Sequence, residues 1–333
     1  MARLLIDCFA HGVILGYWTI TEGAPTIVAA KPNMSGDYCL ELVGTKSVQF
    51  DLGQDYSDLY LAFKYYPNSI SNQYEQHVAH FYNSSGQILG GLNRYQNSSK
   101  FYLHRNESVV VASSEKEVPI QRTYLVEIYF KPMTDATGVA KLKVNGKMEI
   151  DLTGQTSNNS GAIRYIRLGR MTAGGRNSDG YYGDIVADSA VWPTNTKMTL
   201  LKLQSAGSST QWNPSTGANW DCVDELPASM NEYVGINAVD QLDLYTLTDL
   251  PVTPVAVKCV QLQAMTAKYG SPTPGNLQLA VRTAATNYFS GNKTPPTVIP
   301  KHLFHIWETN PNTLAAWTKT ELDAMEAGIK SVA

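Results

Sequence analysis

Glu149 and Asp151 stand two residues apart, the spacing closest to catalysis in this chain. On a strand such residues share a face, as the two carboxylates of a glycosidase do. Glycoside hydrolases with a Glu-x-Asp pattern carry a second Glu close behind it, but here Thr153 and Gly154 follow. The pair therefore reads as the solvated face of a hairpin strand, and no hydrolase is expected.

The six histidines (His11, His77, His80, His104, His302 and His305) form no HExxH pattern and no triad order. The His77/His80 and His302/His305 pairs are spaced i, i+3. On strands they point to opposite faces and cannot chelate one ion together. No GxSxG or activated-cysteine context occurs, and Gly174-Gly175 lacks the lysine of a phosphate loop. Cys8, Cys39, Cys222 and Cys259 show no CxxC, and four unbridged thiols are expected. No cofactor and no metal centre is anticipated.

The segment from Ala173 to Asp184 is the richest in recognition chemistry. Arg176, Asn177, Asp179, Tyr181 and Tyr182 combine donors, an acid and two rings within a glycine-rich stretch. Rings stacking beneath a sugar and polar groups at its edge are what a glycan site needs. Asp179 or Asp184 could bridge a calcium ion, given further oxygen ligands. The competing reading is a loop entering the last strand of a sandwich, with one tyrosine in the core.

The 333 residues carry 26 Lys plus Arg against 29 Asp plus Glu, a net charge of −3, which leaves no electrostatic footprint for nucleic acid. Charged residues make up 17% of the chain, and Ser, Thr, Asn, Gly and 19 Tyr take their place, favouring strands with uncharged polar faces over surface helices. The apolar run Leu4-Leu5-Ile6 stops at Asp7, so a first strand is expected in place of an export signal or membrane span. The Asn-x-Ser/Thr triplets at Asn33, Asn83, Asn97, Asn106, Asn158 and Asn292 then read as turn chemistry.

Up to about residue 195, period-two runs alternate with turn signals. Tyr38–Val43, Val48–Leu52, Leu59–Tyr65, His77–Tyr82, Gln87–Arg94, Phe101–Arg105, Val109–Val111 and Tyr124–Lys131 are the expected strands of an antiparallel sandwich. Around Asn145-Gly146, the apolar rows Ala140/Leu142/Val144 and Met148/Ile150/Leu152 share a face only if the loop has odd length. A three-residue loop pairing 142 with 148 is therefore predicted.

Trp192-Pro193 and the Ser/Gly-rich stretch 205–210 mark a change of composition, and a domain boundary is placed near 203. Strands resume at Leu242–Leu247, Ala256–Lys268, Asn276–Thr283 and Leu303–Trp307. A capping box, Thr318 to Glu321, leads into Leu322, Met325, Ala327 and Ile329 as one short C-terminal helix. The expected fold is thus all-β: an antiparallel sandwich over 1–203, a second over 204–333, and that helix.

Tyr124–Phe130 with Ala140–Val144, Asn145-Gly146 and Glu149–Gly154 resembles the back sheet of concanavalin A-like, laminin-G-type domains, and Ile166–Gly169 with Gly183–Ala187 resembles their closing strand pair. Trp212–Gly217, Val223–Glu225, Tyr233-Val234, Asp249-Leu250 and the Trp317-to-Ile329 ending resemble a region of tailed-bacteriophage virion proteins that follows such a sandwich. The resemblance implies a non-enzymatic structural component of a phage particle, of the tail or its appendages, made in the host cytoplasm. Its expected partners are copies of itself, other virion proteins and a host-surface glycan, with no nucleic acid and no membrane insertion. A capsid decoration or head-fibre protein and a soluble lectin are the alternatives. Several of Trp212, Trp220, Tyr233, Tyr245, Trp307 and Trp317 are expected on a contact surface, which would make the second domain the anchor.

Overall fold

The computed structural model describes residues 3–68, 75–95, 98–106, 109–171, 177–194, 196–270 and 274–333. With 52% of residues in strands and 3% in helix, the chain is all-β with antiparallel sheets and a sandwich-like arrangement. It divides into two compact units, residues 1–14 with 18–198 and residues 15–17 with 199–333, where the sequence placed a boundary near 203.

The first unit holds two sheets. The eight-stranded sheet runs Lys147–Gly154, Gly138–Val144, Tyr124–Lys131, Leu59–Pro67, Ser178–Asp188, Tyr38–Gly44, Thr26–Ala29, with Arg3–Asp7 also paired to Ser178–Asp188. The seven-stranded sheet runs Val110–Ser113, Lys100–His104, Ile88–Tyr95, Glu75–Tyr82, Ile163–Gly169, Ser47–Tyr56, Trp18–Glu22. Their inner faces meet in a core where Phe81 stacks on Phe130 at 4.9 Å and Tyr182 Oη donates to the Val78 carbonyl at 3.1 Å. Leu61, Phe63, Val126, Ile128, Leu142 and Ile166 are fully buried, each contributing roughly 1.5–3 kcal/mol.

The Asn145-Gly146 hairpin corrects one expectation. Val144 pairs with Lys147, and Asn145 and Gly146 take φ of 52° and 79°, so the loop is a two-residue turn of the I′ kind. The odd residue lies in the strand instead. Lys143 pairs with Met148 but Leu142 pairs with Ile150 and Ala140 with Leu152, a bulge that sets Ile150 and Leu152 on the face of Leu142 and Ala140 and leaves Met148 38% exposed. Glu149, the extra residue, is thereby turned inward and is 8% exposed, whereas the sequence reading placed it on a solvated face. Its Oε2 accepts from the Lys116 backbone N–H at 3.1 Å.

The second unit has a five-stranded sheet, Leu203–Thr210, Leu242–Leu247, Glu326–Val332, Asn276–Thr283, Thr286–Phe289, and a two-stranded ribbon, Val260–Thr266 with Lys301–Trp307. Leu262, Ala264 and Leu303 of the ribbon pack on a core containing Leu279, Val281, Ile329, Trp212, Trp307 and Trp317. The stretch 205–210 is thus strand, not linker: its uncharged side chains suit an exposed sheet edge as well as a tether.

The capping box forms, with Glu321 N–H donating to Thr318 Oγ1 at 3.2 Å, but the helix spans only Lys319–Asp323. Ala327 and Ile329, expected on that helix, lie in the strand Glu326–Val332, between two partner strands that satisfy its backbone on both edges. Of the six aromatics expected at a contact surface, Trp212, Tyr245, Trp307 and Trp317 are buried, Trp220 is half-buried and Tyr233 is 58% exposed. A unit of this size needs its large rings for its core.

Candidate functional site

The segment read either as a recognition loop or as the entry to the last strand of the sandwich is strand from Ser178 onward, with Tyr182 in the core as the second reading has it, and alternation disperses its residues. Asp179 turns to Gln76, whose Nε2 donates to Asp179 Oδ2 at 3.3 Å. Tyr181 lies on the outer face of the eight-stranded sheet, with the Lys31 ammonium 3.9 Å from its ring centre and Tyr66 at 5.8 Å. Tyr182 is fully buried among Phe63 and Tyr65. Asn177 bridges to Gln76, and Arg176 lies outside the described residues. Asp184 accepts from the Ser35 backbone N–H at 3.1 Å and pairs with Lys64 at 3.2 Å, so it shares no ligand sphere with Asp179. Among the described residues no group of three or more His, Cys, Asp or Glu is placed to hold a metal ion. None of the four cysteines forms a disulfide.

What the fold does assemble is the outer face of the seven-stranded sheet. Residues directly opposite one another on antiparallel strands share a face. One such row crosses six strands as Thr19, Gln49, Arg167, His80, Gly91 and His104. A flanking row carries His77, Asn93 and Tyr102, and on the other side lie Tyr82, Tyr165 and Asp51.

His77 and His80 reach the same face because the ladder shifts between His77 and Ala79, leaving Val78 as an extra residue. Strict alternation, assumed from the sequence, fails at that bulge. Gly91 opposite makes room for the imidazole, since a Cβ there would sit 2.3 Å from His80 Cδ2.

The polar groups of this face order one another. Asn93 Nδ2 donates to Glu75, which turns Asn93 Oδ1 toward His80 Nε2 at 2.8 Å and makes that nitrogen the donor. Glu75 Oε1 also lies 3.1 Å from His104 Nε2. His77 Nδ1 accepts from the Met171 N–H at 3.0 Å, while the Met171 carbonyl accepts from Tyr82 Oη at 2.9 Å and Arg167 Nη1 at 2.6 Å. Arg167 lies 4.4 Å over the Tyr82 ring and donates from Nη2 to Gln49 Oε1 at 2.9 Å. Burial, reinforced by His77, holds the pKa of His80 well below the ordinary 6.5, so its imidazole is neutral at pH 7.

Accessibility divides the face into floor and rim. His77, His80, Asn93 and His104 are no more than 2% exposed, whereas Gln49, Arg167, Tyr165, Tyr95 and Tyr102 are half-buried. The floor fixes geometry, and the rim offers an amide, a guanidinium and three phenol rings to a ligand. Only the types of these residues were legible in the sequence. Their convergence depends on sheet order and on one bulge.

No protein-family model matches the sequence, and no curated protein does. Solved structures do match. An endo-beta-1,4-glucuronan lyase from the fungus Trichoderma reesei has a TM-score of 0.44 at 13% identity, over 57% of this chain and 96% of its own. Cip1, a cellulose induced protein, has a TM-score of 0.44 at 13% identity, over 59% and 100%. The carbohydrate binding module CBM66 from Bacillus subtilis has 0.35 at 13%, over 53% and 97%.

Proposed function

We propose that this chain is a non-enzymatic structural protein of a phage virion, a tail or tail-appendage component whose first unit engages a host-surface glycan. The glycan reading is carried by one observation, the row of Gln49, Arg167, His80 and His104 with its rim of Tyr95, Tyr102 and Tyr165. Planar donors beside half-buried rings suit the hydroxyls and the apolar face of a sugar. Catalysis is disfavoured because His77 and His80, the natural acid–base pair, are 2% and 0% exposed and already committed to Met171 and Asn93. The virion assignment rests on the resemblance of the second half of the sequence to phage virion proteins. A soluble lectin would use the same face.

The second unit is assigned to attachment on the particle and to contact with other virion proteins or further copies of the chain. In support, it exposes Leu226, Met230, Tyr233, Val252 and Val255, the last fully open.

The test is twofold. Imaging of an intact particle should place the chain at the tail, with the first unit outward. Particles carrying Arg167→Ala with Gln49→Ala should assemble normally and lose adsorption at least tenfold. Unchanged adsorption would discard this face as the glycan site, and a location on the head would discard the tail assignment. Release of oligosaccharides from any polysaccharide, abolished by His80→Ala, would overturn the non-enzymatic reading.

A further inference from the structure

The outer face of the eight-stranded sheet carries a second constellation, unrelated to the row described above. Tyr60 and Tyr129 are directly opposite on neighbouring strands, ring centres 4.5 Å apart. Trp192 packs edge-on to Tyr60 at 5.3 Å and lies 6.4 Å from Tyr129. Along the same row Tyr129 is opposite Lys141, and Lys141 is opposite Asp151, the last two joined by an ion pair of 2.9 Å. Lys143 places its ammonium 4.0 Å from the centre of the Trp192 ring, and Tyr129 Oη donates to Asp58 Oδ2 at 2.7 Å.

Three large rings on the solvent side of a sheet need a reason. Alternation normally fills that side with polar side chains, and the inner positions of the same strands already supply Leu61, Ile128 and Leu142 to the core. The rings are all half-buried, so they cover one another only in part. Around them Lys141 pairs with Asp151, Asp58 accepts from Tyr129 and Lys143 lies over the Trp192 ring, so ammonium and carboxylate groups stand side by side. An ionic ligand would meet charges of both signs there. A neutral polyol can accept from the lysines, donate to the carboxylates and lay its apolar face on the rings.

We propose that Tyr60, Tyr129 and Trp192, rimmed by Lys141, Lys143 and Asp151, form a binding site for a neutral pyranose of a glycan. It is independent of the seven-stranded face, so the chain would hold glycan at two places.

The test is calorimetric titration of the full chain with neutral tetrasaccharides built from glucose, galactose, mannose or N-acetylglucosamine. At least one should bind, and the Lys141→Ala/Asp151→Ala variant, altered only at half-buried or exposed positions, should bind it at least fivefold more weakly. Trp192→Ala should lower affinity tenfold or more, and Tyr129→Phe, which keeps the ring, should lower it less. Should Trp192→Ala fail to fold, the rim variant and Tyr129→Phe carry the test. Arg167→Ala should leave one binding event intact, which separates this site from the first. Absence of binding by all four tetrasaccharides at millimolar concentration, or binding indifferent to every change in the cluster, would overturn the proposal.

Discussion

The imidazoles of His77 and His80 lie 5.3 Å apart at 83° to each other, on one face of a strand whose regular alternation would part them. The extra residue, Val78, is the cause. The inner side keeps its apolar side chains, and the outer side gains two neighbouring imidazoles, one of which, His80, is held neutral by burial.

The pH dependence of stability follows from that neutral imidazole. His80 has a depressed pKa when folded and an ordinary value near 6.5 when unfolded. The unfolded chain therefore takes up a proton first as the pH falls. Stability is fully present above pH 6.5 and is lost progressively below it, toward the folded value. His11, also lowered chiefly by burial, adds in the same direction. Thermal melting between pH 7.5 and 5.0 should show the loss, and His80→Gln should flatten the profile.

Gly91→Ala should destabilise the first unit by roughly 1–3 kcal/mol, as overpacking does. The added methyl would lie 2.3 Å from His80 Cδ2 and 2.5 Å from the Ala79 carbonyl oxygen, so the ring and the neighbouring strand must both give way. Urea unfolding would measure it. A cost below a few tenths of a kcal/mol would mean that the strands spread freely at this point.

Gly146→Ala isolates a backbone effect. A Cβ at 146 meets nothing within 4 Å, but the residue has φ of 79°. The expected cost is about 1 kcal/mol, read from chemical denaturation. A neutral result would mean that the hairpin abandons its two-residue turn for the longer loop.

Arg94 is 1% exposed, with Nε donating to the Val118 carbonyl at 2.9 Å and Nη1 to Gln76 Oε1 at 3.0 Å. Gln76 in turn donates to Asp179. Arg94→Ala leaves that acid and amide buried without their cation, at a cost of roughly 3–5 kcal/mol. Arg94→Ala with Asp179→Ala should recover part of the loss in a double-mutant cycle. If the two costs simply add, the guanidinium and the carboxylate are not coupled.

In the second unit, Asp243 is fully buried and accepts from the Trp212 N–H at 3.2 Å, Asn219 Nδ2 at 2.7 Å and Tyr245 Oη at 2.8 Å. Asp243→Ala strands three donors, each costing about 1–3 kcal/mol when unsatisfied, so loss of folding of that unit is expected. Tryptophan fluorescence would report it through Trp212.

The strands Tyr124–Lys131, Leu242–Leu247 and Asn276–Thr283 could be read from the sequence residue for residue, because period-two patterning is local and sheet faces enforce it. The capping box at Thr318 was equally legible, being a contact between residues three apart. Tertiary structure decided everything that depends on a partner strand. Leu142 meets Ile150 through a bulge and not a longer loop, because burying Ile150 beside Leu142 outweighs keeping the ladder regular. Ala327 and Ile329 are strand because the Leu242–Leu247 and Asn276–Thr283 strands flank them and satisfy their backbone. Tyr181 and Tyr182, neighbours in the chain, face opposite sides of one sheet. Arg167 and His80, remote in the chain, stand side by side, because sheet order alone brings their strands together.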